Sequence, residues 1–358
     1  MKPYRRFKLK FKKFKLWVGR AWIDRRVPPA EPLMVSKTPR FIFIRKDGKI
    51  GDYVVSSFVF RELKRHWPDA VIDVVAADKN RALFDQNPYV DHVHILNQRS
   101  VTAAFCCGRR LSQAQHYDVL IDPTEIVRSR DLMLIRSLNA RLNVGFNKAD
   151  FGLFNLSIPE QGQHMAAVYA EILNRLGVAA ADCRYDLPST DAVQVKVAAF
   201  LATLPAGPIL ALNLHGDGRR RQFTPERARV LIQTLRQLWP THVLVMLSQP
   251  RQQTTIDQLC QACNSPMVRF LPDTLCIEEN IELMRYSQGV ISPDTAIVHI
   301  ATALQRPLLS FYSHDALNFQ RWHPNHPGKN QIIRYHDHID HVDFDAIDPL
   351  LFHPAETP

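Results

Sequence analysis

From Phe41 onward the chain alternates short apolar runs with longer stretches whose apolar residues recur at helical spacing. The runs Phe41–Ile44, Val71–Ala76, His92–Leu96, Tyr117–Ile121 and Leu142–Phe146 read as strands. Between them, Tyr53–His66, a stretch ending at Gln86, another ending at Gln115, and Glu125–Leu138 read as helices. Gln163–Leu176 predicts an amphipathic helix closed by Gly177. Residues 178–207, with Pro188, Pro205, Gly207 and Pro208, read as irregular, and a domain boundary is expected there. The alternation then restarts. Strands are expected at Ile209–Leu214, Val243–Leu247, Val268–Leu271, Gly289–Ile291 and Leu308–Tyr312. Helices are expected at Pro225–Leu238, Arg251–Cys263, Ile277–Tyr286 and Ala296–Leu304.

Strand–helix alternation of this kind means parallel sheet covered by helices on both faces. Two such blocks predict two doubly wound α/β domains with a ligand cleft between them, facing the carboxyl ends of both sheets. The expected division is an arm and Pro-rich linker over 1–39, a first domain over 40–190, a second over 205–330, and a tail over 331–358 that could cross back to the first domain.

Charge changes this picture at one end only. The 358 residues carry a net charge of +10, and residues 1–26 hold eleven Lys/Arg against the single acid Asp24. The remainder is neutral, which argues against a general nucleic-acid surface. In the arm, Phe7, Phe11, Phe14, Val18 and Ala21/Trp22 fall at helical spacing among the basic residues. That pattern predicts an amphipathic basic helix lying on an anionic membrane surface. No apolar h-region follows the charges, so a signal peptide is not expected. Six cysteines in a chain of this size do not suggest a disulfide framework. A lone Cys260-Gln-Ala-Cys263 and the His-rich run Tyr335–Val342 lack the spacing of a metal site, and none is expected.

Three turns could carry chemistry. The first is Arg45-Lys-Asp-Gly-Lys-Ile-Gly-Asp52, after the first strand. It fits neither the dinucleotide glycine fingerprint nor the GK[ST] phosphate loop. Asp52 stands where the helix begins, and spacing alone leaves two readings open: a helix N-cap, or a carboxylate exposed in the cleft as general base. The second is Asn213–Glu226, whose Arg219, Arg220 and Arg221 could hold phosphate oxygens. The third is Ser292-Pro-Asp-Thr295, leading into Ala296 and His299. A helix N-terminus there suits a diphosphate, while capping plus a core histidine is the plain alternative.

These three turns, in this order, resemble glycosyltransferase family 9, the ADP-heptose:lipopolysaccharide heptosyltransferases. The resemblance rests on Ile50-Gly-Asp-Tyr-Val-Val-Ser-Ser-Phe58, Trp67-Pro-Asp-Ala-Val-Ile72, Asn87-Pro-Tyr-Val-Asp91, Tyr117–Asp122 and Ser292-Pro-Asp-Thr-Ala-Ile-Val-His299. It implies the GT-B fold of two Rossmann-like domains and an inverting, metal-independent sugar transfer without a cofactor. Asp52 matches the family's catalytic acid. Ser292, Asp294, Thr295, Ala296 and His299 match the donor turn, and Arg221 falls where the family commonly has a Lys on the donor phosphates. Lys46, Lys49 and Gly51 lie on the loop that faces the acceptor in the family. Ala296 stands where the family usually has Gly. The implied donor is ADP-heptose and the implied acceptor a lipid-linked lipopolysaccharide inner core. The implied place is the cytoplasmic face of the bacterial inner membrane, with residues 1–26 as the contact. Alternatives are another nucleotide sugar or acceptor, or a non-catalytic membrane-associated protein that binds sugar nucleotides.

Overall fold

The computed structural model describes residues 19–27 and 38–353. Most of the basic arm, residues 1–18, therefore lies outside the described residues, as does most of the Pro-rich linker. The chain divides between Cys183 and Arg184 into two compact units.

In the first unit the elements are β1 (Arg40–Arg45), α1 (Ile50–His66), β2 (Val71–Ala76), α2 (Asp78–Asp85), β3 (His92–Ile95), α3 (Val101–Ala114), β4 (Val119–Asp122), α4 (Ser129–Leu138), β5 (Leu142–Phe146), β6 (Leu156–Ile158) and α5 (Met165–Arg175). All strands are parallel, in the order β3-β2-β1-β4-β5-β6. Phe41, Ile42, Phe43 and Ile44 are all buried, so β1 is covered on both faces and reads as a continuous apolar run rather than an alternation. One layer packs Ile42, Ile44 and Leu120 of the sheet against Ala104 and Leu111 of α3 and Leu132 and Ile135 of α4. Ile23 and Val27 pack on the same layer. The described end of the arm is thus part of this unit, anchored where the Leu153 amide donates to Asp24 Oδ1 at 3.0 Å.

The second unit contains α6 (Asp191–Leu201), β7 (Ile209–Leu212), a 3₁₀ turn (Arg219–Arg221), α7 (Pro225–Leu238), β8 (Val243–Met246), α8 (Gln253–Cys263), β9 (Val268–Phe270), α9 (Ile277–Arg285), β10 (Gly289–Pro293), α10 (Ala296–Ala303), β11 (Leu308–Ser313), α11 (Ala316–Trp322) and β12 (Asn330–Tyr335). Its parallel strands run β12-β11-β10-β7-β8-β9. Counted from each unit's own first strand, both sheets follow the same doubly wound order, 3-2-1-4-5-6.

Four elements depart from the sequence expectation. Residues 191–201, expected to be irregular, form α6. Within that helix Val197 is buried while Val195 is 70% exposed, so the sequence shows no apolar stripe. The helix is held instead by an ion pair between Lys196 Nζ and Glu279 of α9, 2.6 Å apart. Strand β6 is only three residues long, too short for a period-two signal. Helix α11 buries none of its residues and so has no apolar face to read. Strand β12 carries Asn330, Gln331 and Arg334 because it is a sheet edge, and this polarity hid it within the expected tail. The described tail beyond it packs on its own unit. Ile339, Val342, Phe344, Ile347, Leu351 and Phe352 join the core that contains Leu231, Leu235 and Trp239 of α7.

The cysteines are free thiols. Cys260 lies in α8 against Met246, and burial pushes its thiol up to about 12, the state of an inert core residue.

Candidate active site

Doubly wound sheets bind ligands where the strand order reverses, beyond the carboxyl ends of the two strands flanking that point. In the first unit those strands are β1 and β4; in the second they are β7 and β10. The turns after β1, β7 and β10 are the three singled out from sequence.

After β1, Arg45-Lys-Asp-Gly-Lys49 turns the chain into α1, with Gly48 at φ +71°, a conformation that favours glycine. The N-cap position is Lys49, and Asp52 sits inside the first helical turn. Asp52 is therefore not the N-cap, one of the two roles its spacing left open. Its side chain is buried, and Arg45 Nη1 approaches Oδ2 at 3.5 Å. The same Arg45 nitrogen lies 3.4 Å from Asp47 Oδ2, and Lys49 Nζ lies 3.6 Å from Asp52 Oδ2. Asp47 and Asp52 are within hydrogen-bonding reach of each other. Arg45 also donates to the Tyr169 hydroxyl from α5, and its carbonyl accepts from Asn80 Nδ2 at 3.0 Å.

Two carboxyls beside one guanidinium do not ionise alike. Burial pushes Asp52 up to about 6; Arg45 and Lys49 oppose this, and the Asp47 charge adds to it. Burial also works against ionised Asp47, yet Arg45, the hydrogen bond with Asp52 and the Lys49 amide hold it below the usual range. The result is a pair in which Asp47 carries the charge and Asp52 exchanges its proton near neutral pH.

On the other flanking strand, Asp122 ends β4 buried, raised by its burial and opposed by Lys148. The Lys148 ammonium is itself buried and donates to the carbonyls of Thr124 and Phe146. Lys46 pairs with Asp131 of α4 at 2.5 Å, while Lys49 remains largely exposed. Gly51 is the second residue of α1.

In the second unit, Asn213 follows β7 and ties the two turns together. Its Nδ2 donates to Ser292 Oγ at 3.0 Å and to Thr295 Oγ1 at 3.3 Å. Thr295 is the N-cap of α10, accepting from the Ile297 amide at 3.2 Å, and Ala296 is the first helical residue. The preceding Asp294 side chain pairs with Arg221 Nη1 at 2.9 Å and accepts from Asn318 Nδ2 of α11 at 2.8 Å. Arg221 is placed by the 3₁₀ turn. Its carbonyl accepts from the Gly216 amide at 2.7 Å, and a Cβ on Gly216 would lie 2.5 Å from Arg221 Cβ. Burial raises Asp294, and Arg221 and Asn318 pull it back. His299 is buried one turn into α10, its ring centroid 6.0 Å from that of Trp322.

The family profile of glycosyltransferase family 9 (heptosyltransferase) matches residues 107–342. The chain belongs to glycosyltransferase family 9. It is 25% identical over 304 residues to "Putative lipopolysaccharide heptosyltransferase 4" of Escherichia coli (strain K12), covering 82% of this chain and 80% of that one. Among solved structures it resembles the family 9 glycosyl transferase of Veillonella parvula, with TM-score 0.70, 15% identity and 85% and 89% of the two chains covered. It also resembles ADP-heptose lps heptosyltransferase II of E. coli, with TM-score 0.68, 16% identity and 88% and 96% covered. At these identities the structural likeness is one of fold: two parallel six-stranded α/β units of the GT-B type.

In this family 9 chain, Arg221, Ser292, Asp294, Thr295 and Ala296 come together at one switch point, with His299 set deeper against Trp322. Four residues of the two sites had no role assigned from the sequence. Arg45 opens the first turn, but its partner Tyr169 lies 124 residues away. Asn213 opens the second turn with no role of its own in the sequence reading, and Asn318 lies in α11, a helix that was not expected. Only the closeness of Asp47 to Asp52, two acids five apart around a glycine, could have signalled a carboxylate pair.

Proposed function

We propose that the chain transfers heptose from ADP-heptose to a lipid-linked lipopolysaccharide inner core, inverting the anomeric carbon. Asp52 takes the proton of the acceptor hydroxyl as it attacks. Arg221 and the amides at the start of α10 neutralise the charge that develops on the departing diphosphate. Asp294 aims the Arg221 guanidinium, and Asn213 holds the Ser292–Thr295 turn against the strand beside it. The observation that carries the reading is the buried Asp52 at the β1/β4 switch point, raised to about 6. A base of that pKa is mostly ionised at neutral pH yet basic enough to accept a proton in the transition state. Arg in place of the commoner Lys keeps the positive charge and adds a planar fork for two phosphate oxygens. Lys46, Lys49 and Gly51 lie on the acceptor side, and His299 supports the donor turn from beneath.

The basic arm, residues 1–26, holds the enzyme at the anionic inner face of the cytoplasmic membrane, where its acceptor is embedded. No described helix is long and apolar enough to cross a membrane. The test is transfer with purified enzyme, ADP-heptose and a truncated lipopolysaccharide core. ADP release with a one-heptose mass gain in the core is the expected result. Transfer from a different nucleotide sugar, with none from ADP-heptose, would overturn the donor assignment.

A further inference from the structure

The first unit has a groove that neither switch point uses. It runs between α3 and α4, encloses about 380 Å³, and is lined by Phe105, Arg109 and Ser112 on one side and Met133, Arg136 and Ser137 on the other. The two helices approach closely because Gly108 of α3 leaves room for Ser137 of α4. Its walls are mixed, with the aromatic ring of Phe105 and the thioether of Met133 beside guanidinium and hydroxyl groups.

Three observations say what fits it. The first is charge. Helix α3 contains Arg109 and Arg110 and no acid. Arg109 and Arg136 are exposed, and among the described residues neither has a carboxylate at ion-pair distance. The nearby acids are already engaged: Asp131 is buried against Lys46, and Asp24 is held by Arg20 and the Leu153 amide. The second is apolar exposure. Phe105, on the groove wall, is 44% exposed, and Trp22 is 75% exposed. The third is the path of the chain. Gly19 packs on Ser129 at the start of α4, and Arg136 Nη1 reaches the Arg25 carbonyl at 3.5 Å. Trp22 lies between these two anchor points, so the segment runs beside α4. It is also the direct continuation of residues 1–18, eight of which are Lys or Arg.

We infer that the α3/α4 groove, together with Trp22, is a docking surface for an anionic phospholipid bilayer. Headgroup phosphodiesters sit between the Arg109 and Arg136 guanidiniums, and Phe105 and Trp22 enter the interfacial layer. A Lys/Arg cluster alone would serve any polyanion. Exposed aromatic rings beside a mixed groove match an interface that is anionic outside and apolar within. The body would then meet the membrane with a defined face, rather than hang from a basic tail. The inference does not depend on the transfer reaction, because binding is measured without donor or acceptor.

The experiment is vesicle flotation of the full-length chain. One set of vesicles is pure phosphatidylcholine; the other is an equal mixture with phosphatidylglycerol. The expected result is binding to the mixed vesicles only, with a partition coefficient lowered about tenfold or more in the double variant R109Q/R136Q. F105S should lower it by a smaller factor, with unaltered circular dichroism. The control is R251Q/R269Q, which removes the same charge from exposed positions of the second unit. Equal losses in the control would reduce the effect to net charge and overturn the inference. So would undiminished partition of R109Q/R136Q, which would leave the arm as the whole membrane contact. Equal binding to phosphatidylcholine alone would overturn it too.

Discussion

Each unit places a buried aspartate beside its topological switch point, and the two aspartates are partnered differently. Asp52, after the first strand of one sheet, shares its cation with a second carboxyl: Arg45 stands 3.4 Å from Asp47 and 3.5 Å from Asp52. Asp294, after the fourth strand of the other, has Arg221 at 2.9 Å and an amide from Asn318 at 2.8 Å. The shared cation leaves Asp52 free to gain and lose a proton. The full set of partners commits Asp294 to holding a guanidinium still. What separates the two buried carboxylates is how closely each is paired and whether its cation is shared with a second carboxyl.

The comparison breaks most sharply at Asp52 itself. Asp52→Ala should lower kcat by about 10²–10⁴-fold while calorimetric donor affinity stays near wild type. Undiminished turnover would remove Asp52 from the chemistry. Next comes Arg221→Ala, for which we expect about a 10²-fold loss in kcat/KM and a lower melting temperature. Both effects have one cause, because the change removes the proposed phosphate contact and strands a buried Asp294. Arg221→Lys should recover part of the activity, and activity equal to that of the alanine variant would show that charge alone is not what matters.

A subtler test addresses the sharing. With Asp52 raised to about 6, kcat/KM should climb with pH through that region as the base ionises. Asp47→Asn removes the neighbouring charge that helps raise it, so the acidic limb should move to lower pH, by about one unit. The variant would then outperform wild type, relative to each one's plateau, at pH 5. A limb that stays in place would mean the two carboxyls titrate independently.

The smallest effect is on stability. A carboxyl whose folded pKa lies above its unfolded value contributes stability that is full below the unfolded pKa and is lost as pH rises through the folded one. For Asp52 that window runs from the ordinary Asp value of 3.8 to about 6. Asp52→Asn should therefore raise the melting temperature by a few degrees at pH 8 and by much less at pH 4.

Much of this architecture is written in the chain, for a physical reason. Strands of a parallel sheet buried on both faces must be apolar throughout, so β1, β4, β8 and β10 stand out as runs. What escaped lies where burial is partial. Strand β12 closes a sheet edge with Asn330 and Gln331, and α6 rests on the Lys196–Glu279 pair rather than on an apolar face. The sites divide the same way. Asp52, Arg221 and the Ser292–Thr295 turn announce themselves because each follows a strand. Arg45 and Tyr169 gain meaning only from each other, and nothing local to either residue declares that.

The last described turn has a consequence for the rigidity of β10. Phe352 lies against Gly289, where a side chain would collide with its ring, and Trp239 Nε1 donates to the Pro349 carbonyl at 2.9 Å. Gly289 opens the very strand that ends in Ser292 and Pro293. The strand that leads into the Ser292–Thr295 turn is thus clamped at its far end by residues that come much later in the sequence. Chains truncated before Pro349 should be cut readily by protease within Gly289–Pro293, and chains that keep Phe352 should resist. Loss of the clamp would then loosen the Ser292–Thr295 turn from a distance, with every residue of the turn unchanged.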